Sequence, residues 1–349
     1  MKPFSWVFIS SLAAVAVAGP IPEALPYNVN NREAITLTDS EVKVFDFYAQ
    51  YAAASYCNSE VPVRSTVACS NNACPEVTKA GAKVLATFGG IITDIQGFIS
   101  VDDKNKLIVA SFKGSTSIRN WIADLVFLQV PCDLVKNCAL HAGFATAWGE
   151  IDDKVLAGIK AAKAANPSYK IIFTGHSLGG AVATIGAGYI RKKGYTIDIY
   201  SYGSPRVGNK AFVKHVTEQA GLEYRITHLS DPVPRLPPIL LNYRHTSPEY
   251  WFHTGKSNTT EYTAADAKVC EGHTSVHCNA GTLGLDIDSH LYYFQDISAC
   301  SKGGIEWRRD VTHEMGTTEP EQLTDEELEA KLDELVAGDI EYSATLEED

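Results

Sequence analysis

Apolar residues recur along the chain with helical or strand-like spacing, and short polar segments separate these runs. The spacing predicts helices at Val42–Tyr56, Phe144–Ala165, Ala181–Lys192 and Lys210–Ala220. It predicts strands at Ile95–Val101, Leu107–Phe112, Tyr169–Thr174, Ile197–Tyr202 and Tyr224–Leu229, the first two forming a hairpin. Because strands and helices alternate over 169–229, we expect an α/β fold with a mostly parallel sheet flanked by helices.

The first 35 residues differ from the rest of the chain. Lys2, an apolar run from Phe4 to Val15 and the small residues 16–18 together predict a signal peptide over residues 1–18. Residues 19–35 have no periodicity, and we interpret them as a propeptide or an N-terminal arm. We therefore expect a secreted, extracellular protein with no transmembrane segment.

The negative charge is concentrated at the C-terminal end. Residues 310–349 hold 15 acidic residues and one lysine, whereas residues 1–309 hold 27 acidic and 29 basic residues. With no basic stripe, nucleic acid is not an expected partner. In the acidic segment, Thr324 and Glu327 form a capping-box pattern, Leu328 and Leu332 follow at helical spacing, and Gly338 is a C-cap candidate. We expect a solvated extension here, with docking on the body or on a partner as the alternative.

Eight cysteines in a secreted chain predict four disulfides, and their spacing does not favour a metal site. The count alone leaves the pairing open. Asn258 begins the only glycosylation sequon, so we expect it at the surface.

A candidate nucleophile lies between a predicted strand and a predicted helix. Gly175-His176-Ser177-Leu178-Gly179 is a G-x-S-x-G pattern in the strand–turn–helix context that it requires. Such a turn places the serine in a strained conformation above the strand ends, where the helix N-terminus favours negative charge. A simple Gly/Ser turn is the alternative.

A serine nucleophile needs a base and a carboxylate that orients the base, in the chain order Ser, acid, His for this type of turn. Asp231 follows the strand at 224–229, although an Asp-Pro turn would also explain it. His290 precedes an aromatic segment, but His245, His253, His273 and His277 are among the other histidines that follow Asp231, so position alone selects it only weakly.

Several ordered motifs together resemble the filamentous-fungal class 3 lipases. They lie between about Glu41 and Cys300 and comprise residues 112–121, 174–180, 201–209, 228–238, 247–251 and 290–294. The resemblance implies an α/β-hydrolase-like fold with a mixed, mostly parallel central sheet and a short helical lid. It implies a catalytic domain over 36–304, followed by an acidic extension over 305–349.

The resemblance also assigns roles to individual residues. It implies a catalytic triad of Ser177, Asp231 and His290, with Ser115 and Leu178 forming the oxyanion hole and with no cofactor or metal. It implies the disulfides Cys57–Cys300, Cys69–Cys74 and Cys132–Cys138, which leaves Cys270 and Cys278 to pair.

The segment after the oxyanion loop has a helical stripe of apolar residues: Ile118, Trp121, Ile122 and Leu125. An ordinary surface helix would show the same stripe, but here it can cover the serine cleft and open at an oil surface. We therefore expect a triacylglycerol lipase that cleaves acylglycerols at the lipid–water interface, with no obligate protein partner. A feruloyl or other carbohydrate-linked esterase and an inert lipid-binding relative are the alternatives.

Overall fold

A mixed eight-stranded sheet forms the centre of the molecule, in the order β1-β2-β3-β6-β7-β8-β9-β10. The computed structural model describes residues 36–116, 118, 122, 126–301 and 323–346. The signal peptide and the arm predicted over 1–35 lie outside these residues, as does the 304/305 boundary. The strands are β1 Lys83–Gly89, β2 Gln96–Asp102, β3 Leu107–Phe112, β4 Gln129–Pro131, β5 Ala139–His141, β6 Lys170–His176, β7 Ile197–Tyr202, β8 Glu223–His228, β9 Glu249–Phe252 and β10 Ala267–Cys270.

The centre of the sheet is parallel and its two edges are antiparallel. Strands β3, β6, β7, β8 and β9 run in one direction, while β1–β2–β3 and β9–β10 are antiparallel. Strands β4 and β5 form a separate two-stranded ribbon. The fold class is thus the expected one, a mixed and mostly parallel sheet.

Helices cover both faces of this sheet. The helices of the described residues are α1 Asp39–Asn58, α2 Pro75–Ala80, α3 Ala142–Ala165, α4 Leu178–Arg191, α5 Lys210–Glu218, α6 Ile287–Leu291 and α7 Asp325–Ser343. Helix α1 packs on one face, where Phe45 and Ile172 share a core, and α3 to α5 pack on the other, where Ile171 and Ile185 share a second core. Ile171 and Ile172 point to opposite faces because successive strand residues alternate.

The four helices and five strands predicted at 42–56, 95–101, 107–112, 144–165, 169–174, 181–192, 197–202, 210–220 and 224–229 are present, with each end within three residues of its expected position, whereas most of the predicted lid helix lies outside the described residues. Strands β1, β4, β5, β9 and β10 were not predicted. Strand β1 lies at the sheet edge, and its register is interrupted between Val84 and Ala86, so its burial does not alternate cleanly. The other four have only three or four residues, too few for a periodic signal.

The acidic C-terminal segment differs from the expectation of a solvated extension. Helix α7 begins at the Thr324–Glu327 capping box and docks on the body, with Leu328, Leu332 and Val336 buried. The helix also continues through Gly338, which therefore is not its C-cap. Docking is favoured because the buried side chains share one helix face and meet apolar groups on the body.

A buried ion pair fixes the far end of α7. The Arg206 guanidinium lies 2.9 Å from the Asp339 carboxylate, and the side chains are 1% and 3% exposed. The same carboxylate accepts the backbone N–H groups of Ile239 at 2.8 Å and Leu240 at 3.1 Å. Asp339 therefore supplies the negative charge that neutralises the buried Arg206 guanidinium.

No helix in the described part of the chain combines the length and the apolar character needed to cross a bilayer.

Candidate active site

Ser177 occupies a sharp turn between β6 and α4. Its backbone has φ 56° and ψ −128°, a strained conformation for a residue with a side chain. Two glycines permit the turn: a Cβ on Gly175 would lie 2.4 Å from the Gly179 carbonyl carbon, and a Cβ on Gly179 would lie 2.1 Å from the Phe112 oxygen. The serine that the motif predicted therefore lies at the carboxyl end of a central strand.

Asp231 and His290 come together at the same edge of the sheet. Asp231 follows β8, and His290 lies in the short helix α6, whose N-terminus is capped by the Asp286 side chain. His290 Nδ1 is 2.9 Å from both carboxylate oxygens of Asp231, and both residues are fully buried. This contact requires a proton on Nδ1, which leaves Nε2 as the basic nitrogen of the neutral ring.

Two further groups hold the Asp231 carboxylate, and the sequence reasoning did not single them out. The Tyr293 hydroxyl donates to Oδ2 at 2.5 Å and the Val233 N–H donates to Oδ1 at 2.9 Å, and Gly203 leaves room for the carboxylate, since a Cβ there would lie 2.7 Å from Oδ2. Burial, with the charge of Asp231 beside it, raises the pKa of Tyr293 well above its usual range, so the hydroxyl keeps its proton. A tyrosine three residues after the candidate base, just beyond the end of α6 at Leu291, was the available signal for Tyr293.

His176 links the nucleophile turn to the His290 backbone. Its Nε2 donates to the His290 carbonyl oxygen at 2.8 Å, and its Nδ1 accepts from the Tyr56 hydroxyl at 2.8 Å. The two imidazole centroids are 4.5 Å apart. Burial, together with the nearby His290 ring, holds the pKa of His176 well below its usual range. His176 is therefore neutral and acts as a fixed spacer between Ser177 and His290.

The reactive atoms of this cluster remain available. Within the described residues, Ser177 Oγ and His290 Nε2 are buried and have no hydrogen-bond partner. An unpaired hydroxyl and an unpaired ring nitrogen in one buried cluster are unusual outside functional sites. The two atoms are therefore not hydrogen-bonded to each other, but their residue types are those of a serine nucleophile and its base.

The two candidate oxyanion donors flank the serine. Leu178 is the first residue of α4, so its N–H points out of the helix N-terminus. Ser115 follows β3, and a Cβ on its neighbour Gly114 would lie 3.3 Å from Ser177 Cβ. The close contact of Gly179 with the end of β3 brings these two loops together.

The candidate lid residues are described only in part. Ile118 and Ile122 are buried, in a cluster with Val233 and Leu236 near Asp231 and with Leu328 and Leu332 of α7. Trp121 and Leu125 lie outside the described residues. The acidic C-terminal helix therefore contacts the apolar surface next to the candidate site.

The cysteines are bonded as Cys57–Cys300, Cys69–Cys74, Cys132–Cys138 and Cys270–Cys278. This is the pairing that the resemblance and the remaining two cysteines implied. Asn258 is exposed, as a glycosylation acceptor must be, and its modification stays a prediction.

A strained serine after a central parallel strand, with an Asp–His pair at the same edge, defines the α/β-hydrolase class of folds. Comparison with known families narrows this class: the model described as "Lipase (class 3)" matches residues 109–241, and "Lipase 3 N-terminal region" matches residues 8–86. The "Secreted mono- and diacylglycerol lipase 1" of Fusarium solani is 45% identical over 96% of this chain and 97% of its own length. The chain therefore belongs to the class 3 lipase family.

Other relatives agree with this assignment. The "Secreted mono- and diacylglycerol lipase A" of Penicillium cyclopium is 41% identical over 86% of this chain and 98% of its own length. The crystal structure of a mono- and diacylglycerol lipase from Aspergillus oryzae has a TM-score of 0.71 and 39% identity, and the match covers 75% of this chain and 99% of that one.

Proposed function

We propose that this protein is a secreted lipase that hydrolyses the ester bonds of acylglycerols, with mono- and diacylglycerols as preferred substrates. The observation that carries the proposal is the buried Asp231–His290 pair, 2.9 Å apart, beside a strained serine whose hydroxyl is unpaired. The printed names of its relatives in Fusarium solani and Penicillium cyclopium support the acylglycerol class. They favour mono- and diacylglycerols over the triacylglycerol expected from the motifs.

The proposed reaction has two halves. Ser177 Oγ attacks the ester carbonyl while His290 Nε2 takes the hydroxyl proton, and the resulting imidazolium is stabilised by Asp231. Collapse of the tetrahedral intermediate breaks the bond to the glycerol oxygen, which receives the proton from His290. Water then attacks the acyl-serine with His290 again as base, and the bond to Ser177 Oγ breaks as that oxygen takes the proton from His290, which releases the fatty acid.

The proposed oxyanion hole consists of the N–H groups of Leu178 and Ser115. Both lie next to the serine, at the N-terminus of α4 and in the loop after β3. Removing one donor of this kind costs about 10²–10³ in kcat in serine hydrolases. The neutral state of His176 keeps a second positive charge away from the imidazolium that forms on His290.

Interfacial activation is part of the proposal. The buried side chains of Ile118 and Ile122 form an apolar surface next to the site, and an oil surface would replace the contacts that they lose on opening. We expect activity on an emulsified acylglycerol to rise across its solubility limit faster than a saturation curve. A simple saturation curve would refute this part of the proposal.

One assay panel tests the central claim. Wild-type protein and Ser177→Ala are assayed on monoolein, diolein, triolein, dissolved p-nitrophenyl butyrate and ethyl ferulate. We expect the wild type to cleave monoolein and diolein fastest and Ser177→Ala to lose about 10⁶-fold in kcat. Preference for ethyl ferulate would identify a carbohydrate-linked esterase, and a wild type that cleaves none of the five would identify an inert lipid binder.

A further inference from the structure

The turn between β1 and β2, residues 90–95, presents two neighbouring isoleucines to solvent. Ile91 is 95% exposed and Ile92 is 84% exposed, more than any other large apolar residue in the described part of the chain. A single exposed apolar residue is ordinary. Two adjacent isoleucines at the tip of a hairpin form a compact apolar projection, which is typical of a contact surface.

A carboxylate on the neighbouring helix holds this turn in place. Glu150 of α3 accepts the backbone N–H groups of Ile91 at 2.9 Å, Ile92 at 2.7 Å and Thr93 at 2.9 Å, and it also accepts the Thr93 hydroxyl. These bonds, that of the Thr93 hydroxyl first, lower the pKa of Glu150 to about 2, so the contact persists in acid. The two isoleucines are therefore presented on a fixed backbone.

The turn lies at the same edge of the sheet as the candidate site. Strand β2 is antiparallel to β3, and Gly97 at its start pairs with Phe112 at the end of β3. The loop that leads to Ser115 is bonded to the turn's flank, since Lys113 N donates to the Gln96 carbonyl at 2.8 Å and Lys113 Nζ to its side chain at 3.1 Å.

We propose that Ile91 and Ile92 form a lipid anchor that inserts into the acylglycerol–water interface and holds the Ser177 edge of the sheet against the lipid. The inference rests on the proposed function, because the partner is the lipid phase that contains the substrate. A fixed backbone suits this role, since docking then orders no additional loop residues. The two isoleucines and Ser177 lie at the same edge of the sheet, so inserting the isoleucines into the lipid would orient the Ser177 edge toward it.

The test measures binding separately from catalysis. Wild type, Ile91→Ser/Ile92→Ser and Val63→Ser are partitioned onto emulsion droplets of 1,2-di-O-oleylglycerol, whose ether bonds the enzyme does not cleave. Val63 is the matched control, because it is an apolar residue that is 55% exposed at the opposite edge of the sheet. Its neighbour Arg64 donates its backbone N–H to the Val84 carbonyl at 2.7 Å, which places Val63 beside the start of β1.

We expect the double variant to partition on the order of 10²-fold more weakly, about tenfold for each isoleucine withdrawn from the lipid. Val63→Ser should bind as the wild type does, and Ile91→Leu/Ile92→Leu should retain binding because the anchor requires apolar surface rather than a particular shape. All three variants should cleave dissolved p-nitrophenyl butyrate at the wild-type rate.

Several outcomes would overturn the anchor. One is partitioning of the double variant within twofold of the wild type. Another is a wild-type dimer that the double variant loses while its lipid binding is unchanged, since the isoleucines would then join two copies of the chain.

A wild type that binds the ether lipid through this pair but cleaves no acylglycerol would refute the proposed function and support the anchor.

Discussion

Replacing Asp339 with alanine tests how helix α7 is held on the body. The substitution removes the carboxylate that lies 2.9 Å from Arg206 and leaves the N–H groups of Ile239 and Leu240 without their acceptor. Removing one partner of a buried ion pair costs about 3–5 kcal/mol. Arg206 keeps the carbonyl oxygens of Arg235 at 2.6 Å and Pro237 at 2.8 Å, so we expect a loss near the lower end, about 3 kcal/mol.

Such a loss should appear first as undocking of α7. At about 1.4 kcal/mol per tenfold, it raises the undocked fraction on the order of 10²-fold. Hydrogen exchange of residues 325–343, measured by mass spectrometry, should accelerate by that factor in Asp339→Ala. Glu334→Ala is the matched control, because Glu334 is an exposed acidic residue on the same helix.

A second comparison separates charge from packing. In Arg206→Met/Asp339→Leu both partners become apolar, so no buried charge remains, and we expect most of the protection to return. Exchange in Asp339→Ala within a few-fold of Glu334→Ala would refute the view that this carboxylate holds the helix. Failure of the double variant to recover would show that hydrogen bonding, rather than the uncompensated charge, dominates.

Three further predictions follow from other contacts. Tyr293→Phe removes a 2.5 Å donor to Asp231, and we expect kcat on p-nitrophenyl butyrate to fall about tenfold with KM unchanged; an unaltered kcat would contradict a positioning role. Burial raises the pKa of Glu223 to about 7, from an ordinary value near 4.5. Between these two pH values the folded protein holds a proton that the unfolded chain has released, so the free energy of unfolding falls as the pH rises. Glu223→Gln should therefore increase the free energy of unfolding in urea by roughly 3 kcal/mol at pH 8 and leave it unchanged at pH 4, whereas a pH-independent difference would exclude this cause. Replacing the Cys57–Cys300 pair, 243 residues apart, with serines should cost about 5 kcal/mol in the loop-entropy account, against about 2 kcal/mol for Cys69–Cys74, five residues apart; equal losses by denaturant titration would refute that account.

The strand–helix alternation predicted the central fold because each element there is long enough to show its period. The strand at 197–202 and the one at 107–112 have the bounds that their apolar runs indicated. Ser177 was identifiable for a related reason, because the turn that holds it requires glycines at fixed offsets from the serine, and these can be recognised in the sequence. Short strands have no comparable sequence pattern.

Contacts between distant segments could not be predicted where no family motif marks both partners. The partner of Asp339 is Arg206, 133 residues earlier, and no local pattern connects them. The acidic composition of the C-terminal segment suggested solvation, but burial of its three apolar positions and one ion pair outweighs that tendency. Likewise, nothing around Glu150 indicates that it binds the turn at 91–93, 57 to 59 residues earlier.

Tyr56 comes from the first described helix, yet its hydroxyl sets the tautomer of a ring beside the candidate base, 120 residues later in the chain. Chimaeras that exchange N-terminal segments between relatives therefore also exchange a side chain that is hydrogen-bonded within the candidate active site. A chimaera whose junction lies between α1 and β1 should keep a tyrosine at position 56. Without that hydroxyl, His176 can change tautomer and lose its hydrogen bond to the His290 carbonyl.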